Sequence, residues 1–336
     1  MRNGILAAGN FIIDIVKMID VFPLQDSLAN ILSESQSNGG SPYNILKDLN
    51  KMGAKFPLTA CGLVGNDDKG RYIEEDCKKH NIDTQLLQNT NAMPTSYTDV
   101  MTVQKDGRRT FFHNRGSNAL FGTSHIQLEQ SNAKIFHLAY LMLLDALDKT
   151  NNDGCTGASQ VFKKAKSMGF ITSTDMVSEN SGRFKDTVTP SFPYVDYLFI
   201  NEYEAEKITG IVTKRNGNID KQKCIEACFK LIEMGINQYV VMHFPEACIA
   251  VSASKEITIQ PSLKILKEKI KGSVGAGDAF AAGILYGIHE NWPIEKSLKL
   301  GVATAASCLF EPTCSDGILD LPTLQNLENI YSYNEF

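Results

Sequence analysis

The chain has no long hydrophobic run, no block of like charge and no Cys-x-x-Cys pair, and each absence excludes a class of protein. Its N-terminal apolar stretch, Ile5-Leu6-Ala7-Ala8, meets Asn10 and Asp14 within a few residues. That is too short for a signal peptide or a membrane span, so a cytoplasmic protein is expected, with no membrane partner. The net charge of −5 is spread over 336 residues. No basic face is offered to nucleic acid or to an anionic bilayer. Of the eight cysteines, only Cys224 and Cys228 stand at a spacing that shares a helix face. No further ligands recur at a matching spacing, so reduced, scattered thiols are expected rather than a metal cluster. Two nucleotide fingerprints are missing as well. There is no Gly-x-x-x-x-Gly-Lys-Ser/Thr loop, and Ala8-Gly9-Asn10 lacks the glycine spacing of a dinucleotide site.

What is present is an ordinary globular composition, 43% hydrophobic and 21% charged. The length suits one large α/β domain with a small appendage. Strand-like and helix-like runs alternate: Lys134–Leu138 as a strand, Ala158–Met168 as a helix stopped by Gly169, Phe170–Asp175 as a strand. Tyr197–Ile200 is a buried strand ending at Asn201, followed by a helix from Glu202 to Thr209 with Gly210 as its stop. A helix over Cys224–Met234 leads to the strand Tyr239–Met242. This rhythm predicts a central, mostly parallel sheet flanked by helices. Two stretches interrupt it. Residues 11–36 alternate apolar and polar positions. Residues 94–119 place Asp106-Gly107 between two strand-like runs, the mark of a β-hairpin. They are read together as one small β-sheet lid (11–36 and 94–119) on a large domain formed by 1–10, 37–93 and 120–336.

The segment richest in chemistry is Gly272-Ser273-Val274-Gly275-Ala276-Gly277-Asp278-Ala279-Phe280, running into Gly283, Ile284, Leu285 and Ile288. The apolar spacing predicts a helix from Asp278. Small residues before a helix let backbone N–H groups approach an anion, and the helix dipole favours negative charge there. A carboxylate beside such a nest can accept the proton of an attacking hydroxyl while the amides hold the charge that moves. An ordinary tight turn with Asp278 as a helix cap has the same local sequence.

Other segments narrow the choice. Gly275-Ala276-Gly277-Asp278-Ala279-Phe280 with Gly283 resembles the C-terminal signature of the ribokinase/PfkB carbohydrate kinases. Gly39-Gly40-Ser41-Pro42-Tyr43-Asn44, then Leu49 and Gly53, is similar to the N-terminal signature of that family. Gly62-Leu63-Val64-Gly65-Asn66-Asp67-Asp68-Lys69-Gly70, Asn201-Glu202-Tyr203-Glu204, and the opening Gly9-Asn10 with Asp14 match three further family segments, in the family's order. The resemblance runs from residue 9 to about 283.

It implies a ribokinase-like fold and ATP-dependent phosphorylation of a sugar hydroxyl by direct in-line transfer. Asp278 would be the base, and the backbone of Gly275, Ala276 and Gly277 the anion hole. Asn201 and Glu204 would organise Mg²⁺ near the phosphates, Glu204 through water, which suits a hard cation. His243 and Ser273 fall on the nucleotide side. Asp14, Gly39, Gly40 and Asn44 match positions that grip sugar hydroxyls. Gly116-Ser117-Asn118-Ala119 resembles a lid segment of ribokinase-like members, which brings in Asn118. Arg115 stands near where sugar-acid kinases of the family place a carboxylate-reading arginine; a solvated arginine at a hairpin end is the alternative. A homodimer through the lid is also expected from the family.

Four departures stand out. Gly272 occupies a position where the family usually has an Asp that helps hold a monovalent cation, which puts such a cation in doubt. The strand at 239–242 runs into His243-Phe244-Pro245-Glu246-Ala247 without the usual glycines. Glu311-Pro312-Thr313-Cys314 lacks the expected Gly-Ala, and Asp175-Met176-Val177 replaces Asp-x-Asn. Two other functions stay open: a nucleoside kinase of the same superfamily, with Phe111, Phe112 or Phe121 as a shelf for the base, and a non-catalytic sugar- or nucleotide-binding relative.

Overall fold

The computed structural model describes residues 1–105 and 107–336. In chain order the strands are β1 (Ile5–Gly9), β2 (Ile12–Ile19), β3 (Ile31–Gly39), β4 (Leu58–Gly65), β5 (Ile82–Thr90), β6 (Tyr97–Val103), β7 (Arg109–Asn114), β8 (Ile135–Leu141), β9 (Ile171–Met176), β10 (Tyr197–Asn201), β11 (Lys214–Arg215), β12 (Asn218–Ile219), β13 (Tyr239–Phe244), β14 (Ala247–Ser252) and β15 (Ile257–Pro261). The helices are α1 (Ser41–Lys51), α2 (Asp68–Lys79), α3 (Asp145–Asp148), α4 (Gly157–Ser167), α5 (Phe184–Val188), α6 (Glu202–Thr209), α7 (Lys221–Glu233), α8 (Ala276–His289), α9 (Ile294–Cys308) and α10 (Leu321–Ile330).

Nine strands form one sheet in the order β15-β14-β13-β10-β9-β8-β1-β4-β5. From β13 to β5 every pairing is parallel. The edge at β14 and β15 is antiparallel. Period-two alternation sends β1 side chains to opposite faces: Ile5 and Ala7 join one apolar cluster, Leu6 and Ala8 the other. The first cluster is closed by α1, α8, α9 and α10, the second by α4 and α7. This is the predicted α/β arrangement, a mostly parallel sheet covered by helices on both faces.

A separate sheet has the order β3-β2-β6-β7. β6 and β7 form the antiparallel hairpin expected from the Asp106-Gly107 pair; Asp106 itself lies outside the described residues. β3 continues to Gly39, past the expected limit at residue 36. The chain enters this sheet under tight control. Asp67, the N-cap of α2, accepts hydrogen bonds from Gly70 N (2.9 Å), Thr95 N (2.8 Å) and Thr95 Oγ1 (2.6 Å). The Gly65-Asn66-Asp67 segment therefore anchors the point from which β6 departs.

Candidate active site

All the site elements meet at the carboxyl ends of the parallel strands, where open α/β sheets present their ligand crevice. Helix α8 begins at Ala276, two residues earlier than the sequence suggests, so Gly277 and Asp278 lie inside its first turn. Its N-cap, Gly275, has φ 81°, and a Cβ there would stand 2.8 Å from the Cβ of Cys314. Both facts require glycine. The first amides of a helix have no intrahelical partner and carry the positive end of its dipole. One of them is partly spoken for: Ala276 N donates to Ser273 O at 3.3 Å.

Asp278 is buried. The Tyr140 hydroxyl lies 2.7 Å from each of its carboxylate oxygens. Asn44 Nδ2 donates to Oδ2 at 2.7 Å. Burial pushes the Asp278 carboxyl well above the ordinary carboxylate range, and the nearby Asp175 adds to the rise; the hydrogen bonds from Asn44, Tyr140 and Ser41 oppose it. Tyr140 is a site residue that sequence reasoning did not find. Asn10, in the family's opening segment, positions it, accepting from Tyr140 N at 3.0 Å and donating to Leu143 O at 3.1 Å. Asn44 is held in turn by Asn38, whose amide donates to Asn44 Oδ1 (2.7 Å) and Ser315 Oγ (2.9 Å).

Two cavities meet at this point. A polar one of about 460 Å³ is walled by Asp14, Gly40, Asn44, Tyr140, Asp175, Asn201, Glu204, Gly275, Gly277 and Asp278, with Ile12, Thr98, Phe111 and His113 contributed by the small sheet. A mainly apolar one of about 540 Å³ lies against Phe244, Pro245, Ala247, Ile265, Ser273, Ala276, Phe280 and Leu309. Asn201, His243 and Gly277 line both. His243 is held neutral, its pKa lowered to about 4 by burial.

The small sheet brings a cross-strand row to the polar cavity. Asp14 pairs with Thr98 and Thr98 with His113, and Thr98 Oγ1 lies 3.0 Å from His113 Nδ1. Burial raises Asp14 to about 6, with Cys314 and Thr98 hydrogen bonds pulling the other way. Burial also depresses His113 to about 4, so its ring is neutral near pH 7. Two buried polar atoms on the cavity wall have no partner: His113 Nε2 and Asp175 Oδ1. Buried polar atoms seldom stay unpaired, so these are natural points for ligand hydroxyls or water.

Asn201 and Glu204 form a capping box at the start of α6. Asn201 Oδ1 accepts from Glu204 N (2.9 Å), and Glu204 Oε2 from Asn201 N (3.0 Å). Ser178 Oγ donates to Glu204 Oε1 at 2.7 Å. All these partners are neutral, and burial raises Glu204 to about 7. Glu204 and the partly unpaired Asp175 thus share a wall with no protein cation between them. A hard divalent cation fits that donor set. Among the described residues no three His, Cys, Asp or Glu side chains cluster tightly enough to cage a metal alone. A magnesium ion here would need water and phosphate oxygens for most of its shell.

Not every sequence candidate reaches the cavities. Gly39 packs behind Asp14: a Cβ there would lie 2.6 Å from the Asp14 carboxyl carbon. Asn118 is buried away from the cavity wall, its amide donating to Phe11 O at 3.2 Å. Arg115, expected from the resemblance to read a carboxylate, lies beside two carboxylates of the protein. Its guanidinium is paired with Asp145 at 2.7 Å and with Glu179 at 3.8 Å, and it does not line the polar cavity. Nη1 donates to Asp145, and Nη2 is only within ion-pair distance of Glu179. Ser273 sits on the apolar cavity. The glycine-free segment after β13 has a local explanation: Pro245-Glu246 make a two-residue turn that reverses the chain into β14.

Comparison with known proteins agrees with this geometry. The sequence profile of the pfkB family carbohydrate kinases matches residues 4–320. An uncharacterized sugar kinase of Archaeoglobus fulgidus is 25% identical, the match covering 76% of this chain and 93% of that protein. The 5-dehydro-2-deoxygluconokinase of Clostridium perfringens is 23% identical over 88% of this chain and 86% of that protein. Among solved structures, Arabidopsis thaliana ribokinase complexed with ribose and ATP superposes with a TM-score of 0.80 at 19% identity, covering 97% of this chain and 99% of that one. The nucleoside kinase of Methanocaldococcus jannaschii, an archaeal member of the ribokinase family, gives 0.76 at 18%, covering 97% and 98%. The structural likenesses speak for the fold. The profile match, spanning nearly the whole sequence, speaks for descent, and the chain belongs to the pfkB family of carbohydrate kinases.

Proposed function

We propose that this kinase transfers the terminal phosphoryl group of ATP to a hydroxyl of a sugar held in the polar cavity, with Asp278 as the base. One observation carries the reading: the buried Asp278 carboxylate stands in the first turn of α8, on the wall of the polar cavity and next to Gly277, which lines both cavities. ATP would lie in the apolar cavity with its phosphates toward Gly275–Gly277. Asp14 would accept hydrogen bonds from the sugar hydroxyls, and Asn44 and His113 would make further hydrogen bonds to them. Asn44 donates to Oδ2, and the single Tyr140 hydroxyl proton is shared between Oδ1 and Oδ2. A carboxylate oxygen has two lone-pair sites, so Oδ1 keeps one for the substrate proton.

As the hydroxyl oxygen attacks phosphorus in line, the bond from phosphorus to the bridging oxygen breaks, ADP leaves with that electron pair, and the hydroxyl proton passes to Asp278 Oδ1. The α8 amides hold charge on the phosphoryl oxygens, and no phosphoenzyme forms. Magnesium, organised by Glu204 and Asn201, would supply neutralising charge at the phosphates. The β3-β2-β6-β7 sheet acts as a lid that excludes water. Apolar residues on and beside it, including Phe22, Leu24, Leu28, Ile31, Leu32 and Phe112, are exposed, which supports a homodimer through this sheet. No helix among the described residues is long and apolar enough to cross a membrane, and a cytoplasmic setting suits an ATP-using enzyme with buried free thiols.

With Arg115 occupied, a neutral sugar fits this cavity better than a sugar acid. A nucleoside acceptor has one observation in its favour: Phe111 lines the polar cavity and is half exposed, a shelf on which a base can stack. Phe121 is fully buried and cannot serve. ADP release from Mg-ATP across pentoses, hexoses, keto-deoxy sugar acids and nucleosides decides among these. Turnover with a neutral sugar is the expected result. Turnover with nucleosides alone would replace the reading, and silence across the panel would contradict it.

A further inference from the structure

Lys47 lies in the interior of α1 and is buried, and its ammonium stands at one end of a line of hydrogen bonds that finishes on Asp278. Nζ donates to Asn38 Oδ1 at 3.1 Å. Asn38 Nδ2 donates to Asn44 Oδ1 at 2.7 Å, and Asn44 Nδ2 donates to Asp278 Oδ2 at 2.7 Å. Local structure brings these groups together. Asn44 and Lys47 are one turn apart on α1 and share its face, Asn38 comes from the end of β3, and Asp278 from the first turn of α8. A lysine is seldom buried unless it is paired. The partner here is Asp76 of α2, whose Oδ2 accepts from Lys47 Nζ at 3.0 Å and from the Tyr43 hydroxyl at 2.6 Å. Burial would raise the Asp76 carboxyl, but hydrogen bonds from His80, Tyr43 and Lys47, together with the Lys47 charge, outweigh it and hold the group below the ordinary carboxylate range.

The line of bonds has a direction, and Lys47 fixes it whatever the protonation state of Asp278. An ammonium donates and never accepts, so the Asn38 amide must turn its carbonyl to Lys47. Its NH₂ end then faces Asn44, which must present Oδ1 to Asn38 and its own NH₂ to Asp278. The other partner of Asn38, Ser315 Oγ at 2.9 Å, can accept or donate and imposes no direction. We propose that Lys47 is a positioning residue for the phosphoryl transfer: through Asn38 it holds the Asn44 amide with its donor end on Asp278. The inference rests on the reading of Asp278 as the base. No proton travels along the line. A donor kept on Oδ2 favours the charged carboxylate, which is the form that can take a proton. Without the lysine both amides can turn over together, and Asn44 then offers Oδ1 to Asp278, which suits only the protonated acid. Asp278 also faces Asp175, Asp48, Tyr140, Cys308 and Cys314. Lys47 also faces Asp48, Lys51 and Cys77. These groups act through charge or bond elsewhere, and none of them hydrogen-bonds to the amides in the line.

The test has two readings on the full chain. One is the acid limb of kcat/KM. The other is the titration of the Asp278 carboxyl in the resting protein, followed by ¹³C NMR with aspartate labelled at Cγ, the signal being assigned by its absence from Asp278→Asn. The variants are Lys47→Met, Asn38→Leu, the two combined, and Asp76→Asn. Lys47→Met and Asn38→Leu should each move both readings to higher pH by about half a unit or more, with activity recovering in alkaline buffer and KM for ATP within about twofold. The double variant should move no further than the larger single one, because both changes interrupt one line. Asp76→Asn breaks the ion pair and leaves the line intact, so it should lower the melting temperature with no upward shift of either reading. Where Lys47→Met melts below the assay temperature, Lys47→Gln, which can face Asn38 with either end of its amide, takes its place with the same expected direction. Unmoved readings in the lysine variant and in Asn38→Leu would overturn the proposal. So would a shift confined to the lysine variant, which the lost positive charge explains without the amides. The kinase reading fails separately, through a wild type that shows no turnover while the carboxyl signal still shifts in the variants.

Discussion

The Tyr140 hydroxyl sits 2.7 Å from both carboxylate oxygens of Asp278, across 138 residues of sequence. A phenol so placed donates to the charged form of the acid and stabilises it. It opposes the burial and the Asp175 charge that raise Asp278.

Tyr140→Phe should therefore move the pH profile. A base works only when deprotonated, so activity is lost as pH falls through its pKa, here raised to about 7. Removing the donor raises that pKa further. The acid limb of kcat/KM should shift to higher pH by about one unit or more, with activity recovering in alkaline buffer. A uniform loss at every pH would show that Tyr140 only packs.

Arg115→Ala should leave selection between neutral and acidic sugars unchanged. Its partners are Asp145 and Glu179, and the pair is about one-third exposed on the arginine side. Exposed pairs contribute little, so KM for both sugar types should stay within about twofold and stability should fall by about 1 kcal/mol at most. A selective rise in KM for acidic sugars would restore the carboxylate-reading role.

Glu204→Gln should raise the Mg²⁺ concentration for half-maximal turnover by roughly tenfold or more, as is typical when a partner that organises a metal's ligands is lost. Glu204 is buried among neutral donors, so its charge is the quantity under test. An unchanged magnesium titration would place the ion elsewhere.

Sugar binding should slow hydrogen exchange in residues 94–119, because Thr98, Phe111 and His113 face the polar cavity from that segment. Unchanged exchange on saturation would argue against lid closure.

The parts of this architecture that were legible from sequence are those written locally. The Tyr197–Asn201 strand, the Asn201–Glu204 box and the Gly210 stop each carry their own signal, and Gly210 has the left-handed conformation its position implies. The Asp106-Gly107 pair announced the β6–β7 hairpin. The antiparallel β14–β15 edge is not among the expected elements: the 243–247 segment stands out for its lack of glycines, whereas its Pro245-Glu246 pair starts the turn into β14. Tyr140 was invisible for another reason. It lies past the strand end expected at Leu138, and nothing local says that its side chain meets Asp278. Its place at the carboxyl end of a parallel strand was the available signal. The partners of Arg115 are equally hidden: Asp145 and Glu179 lie 30 and 64 positions away, and only the fold brings them to it. The glycine at 272 is a departure in sequence, and in the fold a Cβ there would meet Arg109, from the other sheet, and the backbone of Glu311 and Pro312.

The central claim is that Asp278 is the base, and Asp278→Asn compared with wild type tests it most directly. With the accepted sugar and saturating Mg-ATP, turnover should fall by roughly a hundredfold or more while the affinity for ADP and the melting temperature stay close to wild type. Near-normal turnover in that variant would contradict the account.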